Sequence, residues 1–87
     1  MDKQSWYARQ KSRLAYRRGR NLARQGNHQS AISVLTQSLA WHPHPADVHI
    51  TRGLSYRALG QLAQAHQDFG LAASWNRYAS VPAVVRL

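Results

Sequence analysis

The chain has 87 residues, no cysteine and a formal charge of +9, from twelve Lys and Arg against three acids. That length allows one small domain. The lack of thiols excludes a disulfide frame and a zinc–thiolate site, and the scarcity of acids leaves acid–base catalysis with few candidates. No apolar run is long enough to span a bilayer, and the N-terminus lacks the apolar stretch of a signal peptide. A soluble, cytoplasmic protein is expected, at most peripheral to a membrane complex.

The charge is unevenly placed. Residues 1–26 hold eight of the twelve Lys and Arg and one acid; the rest of the chain holds four against two. Such asymmetry points to an anionic partner.

In chain order, a basic extension over residues 1–11 reads as helix continuous with Arg13 to Arg24, and Gly26 ends it. Glycine suits the left-handed conformation that follows a helix. A second helix is expected from His28 to Trp41, with Ala31, Leu35 and Ser38 on one face. The stretch "HPHP" (His42 to Pro45) breaks the pattern, because proline removes a donor and restrains the residue before it. A third helix is expected from Ala46 to Leu59, a stop at Gly60, and a fourth from Leu62 to Trp75. The final "SVPAVVRL", Ser80 to Leu87, reads as a short cap or tail, with Pro82 suited to a first turn.

The chain repeats itself at an offset of 34 residues. Arg18-Gly19 falls on Arg52-Gly53, Gly26 on Gly60, Ala31 on Ala65 and Trp41 on Trp75. Leu22 meets Tyr56, Leu35 meets Phe69 and Ser38 meets Ala72, so size is kept where packing demands it. The sequence resembles two tandem tetratricopeptide repeats, a family of repeat length 34. The first would cover residues 12–45 and the second 46–79. The stretch "RGLSYRALGQLAQAHQDFGLAA" is the closer match. The early tryptophan-like position of the family instead holds Ala15 and His49, and its closing proline, present as Pro43, is replaced by Arg77 in the second unit.

The resemblance implies an all-α fold: two helix-turn-helix units in a short right-handed solenoid, one domain over the whole chain. It also implies that the first helix of each unit lines a concave groove for a peptide. Arg13, Tyr16, Arg20 and Arg24 of unit one, with Ile50, Leu54 and Arg57 of unit two, would then face the groove. The Lys and Asn set that some relatives use to clamp acidic C-terminal tails is not found. The resemblance further implies a role like that of bacterial assembly and scaffold factors, some of them for photosynthetic membrane complexes.

Independently of any family, Arg9, Arg13, Arg17, Arg20 and Arg24 recur at spacings of four, four, three and four. These spacings place them on one side of a helix, over a length of about 22 Å at 1.5 Å per residue. Trp6 lies on the same side and Tyr16 at its edge, while Ala8, Ser12, Ala15, Gly19 and Leu22 lie opposite, where a second helix must pack. Like charges at this spacing repel, so a merely solvated face usually mixes signs. Arginine offers two-pronged donors to carboxylate or phosphate. The first expected partner is therefore an acidic protein surface or peptide. The alternative is RNA, as a ribosome- or nuclease-linked factor, with phosphates on the arginines and bases stacked on Trp6, Tyr7 and Tyr16. Direct membrane binding is the weakest reading, because the basic helix lacks a broad apolar face.

Arg52 should pair with Asp68 across the second hairpin. In the first hairpin Val34 stands in place of that acid, which leaves Arg18 to bind elsewhere or reach to water. Two repeats are few for a continuous core. The N-terminal extension, the C-terminal cap, a second copy or another protein is expected to cover the open faces. His42, His44 and His49 cluster near a proline turn but lack acidic or thiol companions, so no metal is expected. His28 and His66 read as surface or satisfied helix residues, and Trp41 and Trp75 as covers of core edges. No nucleophile–base set or phosphate loop is present, so no cofactor, no small-molecule substrate and no enzymatic activity are expected.

Overall fold

The structure, a computed structural model, describes residues 3–41 and 46–75. They form four helices joined by turns: α1 (Lys3–Arg24), α2 (His28–Trp41), α3 (Ala46–Ala58) and α4 (Leu62–Trp75). The expected boundaries hold to within a residue, with Leu59 in a turn rather than in α3. The expected cap at 80–87, the closing position Arg77, and His42 and His44 lie outside the described residues.

The two turns are built alike. Gly26 and Gly60 have φ of 83° and 78°, a region costly for any residue with a Cβ. Gly26 N donates to Ala23 O and Asn27 N to Leu22 O, at 3.0 and 2.9 Å. Gly60 N donates to Arg57 O and Gln61 N to Tyr56 O, at the same two distances. Both are the paired C-terminal bonds that satisfy the last carbonyls of a helix. The residue after each glycine then starts the next helix, since Asn27 O accepts from Ala31 N and Gln61 O from Ala65 N.

Each turn folds one helix back on the last. α1 packs on α2, α3 on α4, and α3 also on α2, with α1 touching α3 more lightly. The first core gathers Ala31, Leu35 and Val48, flanked by Tyr16, Leu22, Ala23 and Leu39. The second gathers Ala65 and Phe69, flanked by Ile50, Tyr56 and Ala73. Val48 belongs to α3 yet sits in the first core, so it joins the two hairpins.

Glycine sets how closely each pair approaches. A Cβ on Gly19 would lie 2.6 Å from Leu35 Cγ, and one on Gly53 would lie 2.5 Å from Phe69 Cε1. No real Cβ tolerates such contacts, so these positions exclude a side chain by packing rather than by φ. Below Gly19 the first hairpin is tied by two buried serines. Ser12 Oγ donates to Ser38 O at 3.0 Å, and Ser38 Oγ donates to Ser12 O at 2.8 Å. The equivalent positions in the second hairpin hold Ala46 and Ala72, both buried.

Gly53→Ala should therefore destabilise the fold by about 1–3 kcal/mol, through overpacking against Phe69. Adding Phe69→Leu should recover part of that loss. Gly70→Ala, where a Cβ meets nothing within 4 Å, should be neutral or stabilise by up to about 1 kcal/mol. Urea unfolding followed by circular dichroism reads all three.

Candidate anion-binding face and groove

The arginine face of α1 forms because Ser12 and Gly19 turn inward to α2. Arg9, Arg13, Arg17 and Arg24 are exposed, and Arg20 is half-buried. No acid occurs anywhere in α1. The ladder is thus not uniform. Arg20 bends inward with its guanidinium carbon 5.5 Å from the centre of the Tyr16 ring, a distance at which a cation is drawn to an aromatic face.

Two cavities of about 280 Å³ lie along this helix. One is lined by Trp6, Arg9, Gln10 and Arg13, all from α1. The other is a groove between α1, α2 and α3, lined by Arg20, Ala23, Arg24, His28, Thr51, Leu54 and Ser55. It joins three residues expected at the site, Arg20, Arg24 and Leu54, to four that were not named for it. Among those four, His28 Nδ1 and Ser55 Oγ are hydrogen-bonded to each other at 3.1 Å. Tyr16 and Ile50 are instead half-buried against the first and second cores. Arg57 is exposed, and Arg13 lines the other cavity.

Arg20 Nε is buried and has no hydrogen-bond partner among the described residues. An unmatched buried donor costs about 1–3 kcal/mol, more on a charged group. Arg20 lines this groove, and an acceptor that reached Nε from it, with the side chain shifting, would relieve that cost. Arg24 at the rim adds a second positive charge, and Leu54 and Ala23 add apolar wall.

The opposite arrangement holds at Arg52. Its Nε donates to Asp68 Oδ2 and its Nη2 to Asp68 Oδ1, both at 2.8 Å. This is the expected pair, in its two-pronged form. The sequence reading missed two further members. His49 Nδ1 lies 2.9 Å from Asp68 Oδ1, and Arg52 Nη1 donates to Thr36 Oγ1 at 3.1 Å. An ionised carboxylate only accepts, so His49 carries the hydrogen. Asp68 is 1% exposed, and three donor groups satisfy it. Its hydrogen bonds hold the Arg52 guanidinium above the usual arginine range, against the opposing effect of burial. His49 was grouped by sequence with His42 and His44; it is committed here to Asp68. Among the described residues no group of His, Cys, Asp or Glu could hold a metal ion. His66 is exposed. Trp41, expected to cover a core edge, is 47% exposed and meets Tyr7 edge-on at 6.4 Å. Arg18 is exposed, and Val34 fills the place of Asp68 in its hairpin.

No family model matches the chain, and no solved structure matches it. Among characterised proteins it is similar to the Vi polysaccharide export protein VexE of Salmonella typhi, 36% identical over 66 residues. The match takes in 68% of this chain and 10% of that protein. The chain thus spans about a tenth of the relative's length. No helix among the described residues is long and apolar enough to cross a membrane.

Arg52→Ala leaves Asp68 buried with one ionic partner fewer, and should cost about 3 kcal/mol or more. Arg18→Ala, at the matching but exposed position, should change stability by less than about 0.5 kcal/mol. Equal shifts in thermal midpoint would show that the buried pair contributes nothing.

Proposed function

We propose that the chain is a non-enzymatic helical adaptor of the tetratricopeptide type. Its short solenoid would receive an acidic segment of a protein partner in the groove between α1, α2 and α3, and so assemble or regulate a larger complex. The observation that carries this reading is Arg20: a guanidinium with a buried, unmatched Nε, facing a groove that also holds Arg24 and Leu54. A carboxylate at that point supplies the missing acceptor, and a neighbouring aliphatic side chain covers Leu54. A sugar–phosphate backbone offers the acceptor, but its sugar carbons each bear or adjoin an oxygen and match the apolar wall less well. The exposed Arg9, Arg13, Arg17 and Arg24 would steer the acidic partner at long range.

RNA is the second reading, and a specific observation favours it. Trp6 is 58% exposed beside Arg9 and Arg13, an aromatic and cationic pairing suited to a stacked base and its phosphate.

Affinity purification of the tagged chain with and without RNase separates the two. Protein partners should survive RNase and be lost from the double variant Arg20→Glu/Arg24→Glu, with at least a tenfold drop in recovery. Partners that vanish with RNase and persist in the double variant would overturn the adaptor reading in favour of RNA.

A further inference from the structure

The offset of 34 residues that relates the hairpins also relates two surfaces with exposed residues among those described. Inside the molecule, α3 lies on α2 through one face. Val48 enters the core beside Ala31 and Leu35, Arg52 donates to Thr36, and Ser55 meets His28. The matching face of α1 is Leu14, Arg18 and Asn21. These three are spaced four and three apart, hence on one side of the helix, and all are exposed; Leu14 is 59% exposed where Val48 is 2%. On α4 the rim of the face that matches the receiving side of α2 is exposed, while Ala65 and Phe69 at its centre are already buried within the chain. Leu62, His66 and Gly70 stand where α2 has His28, Ile32 and Thr36, and Leu62 is 56% exposed.

We propose that these are the two halves of one interface, and that α1 of a second copy docks on α4 as α3 docks on α2. Leu14 of one copy would stand at the position of Val48, against the exposed Leu62, His66 and Gly70 of the other and over the already buried Ala65 and Phe69. The equivalence of the hairpins is structural as well as sequential, since Gly19 meets Leu35 as Gly53 meets Phe69.

Charge disfavours the two-fold contact of α1 on α1 and permits α1 on α4. The one charged residue of α4 is Asp68, which is buried, so the α4 face is neutral and does not repel Arg18 or Lys11. A two-fold contact of α1 on α1 would instead bring together two helices that carry no acid. The docking is head to tail, and each added copy leaves one α1 face and one α4 face open, so association grows with concentration beyond a dimer. A single helix-on-helix contact is at the small end of interfaces, which makes the association weak. The inference is independent of the groove ligand, because Leu14, Arg18 and Asn21 line no part of that groove.

The absence of native cysteine makes the test clean. Asn21→Cys and Leu62→Cys place one thiol each at positions equivalent to Ser55 and His28, which are in hydrogen-bond contact. With a short thiol–thiol cross-linker, a mixture of the two variants should give mixed dimers at least tenfold above either variant alone. Sedimentation velocity over a range on the order of 10–1,000 µM should show mass rising with concentration. Leu14→Glu and Leu62→Glu should each reduce that rise at least tenfold and leave the melting temperature in place, since both side chains are more than half exposed. Same-site dimers as abundant as mixed ones would overturn the proposal in favour of a two-fold contact. A monomer at every concentration would overturn it too.

Discussion

The close approach of helices at Gly19 and Gly53 is the constraint from which the rest of the structure follows. With Leu35 Cγ 2.6 Å from where a Cβ would stand, α1 can present no other face to α2 at that point. The rotation of α1 about its own axis is thereby fixed. Arg9, Arg13, Arg17, Arg20 and Arg24 spread over an arc of about 80°, at about 100° per residue, centred well away from Gly19. Turning α1 by one residue would carry Arg18 or Arg20 into the core, where an unpaired guanidinium is costly. The packing of small residues and the display of large cations are thus one decision made twice, once by sterics and once by charge.

The two hairpins meet that constraint with different polar contacts. The first holds its helices with reciprocal serine bonds between Ser12 and Ser38, neutral and buried. The second has alanines there and places a charged cluster, Arg52–Asp68–His49, farther along. A buried ion pair is weak as a source of net stability, because desolvation offsets its attraction. Its value here is geometric. Arg52 also reaches Thr36 on α2, so one side chain ties α3 to α4 and to the preceding hairpin. Arg18 has the same place in sequence, but Val34 stands where the second hairpin has Asp68, and Arg18 stays at the surface.

The four helices were legible because their signals are local. Glycine after a helical pattern, a proline turn and recurring small residues each act within a few positions, and the boundaries followed. Arg52–Asp68 was legible because the register is repeated and acids are so scarce that few partners exist. His49 was not, because its neighbours in sequence, His42 and His44, suggested a shared role, whereas its partner is 19 residues away on α4. The groove was legible by half. Arg20, Arg24 and Leu54 follow from which helices are first in each unit, while His28 and Ser55 meet across 27 residues and between two hairpins. That contact depends on the angle between hairpins, which no helical periodicity encodes.

In the proposed adaptor, long-range and short-range recognition would be divided among the arginines. An exposed arginine acts through a field that salt screens within about 8–10 Å, and it accepts carboxylate and phosphate with little preference. Arg20 differs because Tyr16 holds its guanidinium in a half-buried position and its Nε has already lost water. The cost of that desolvation is met within the chain, so an acceptor that reaches Nε need not meet it again. Preorganisation of this kind favours a ligand whose acceptor arrives with an apolar neighbour, because Leu54 and Ala23 form the adjoining wall. The exposed arginines would decide how fast an anion is captured, and Arg20 which anion stays.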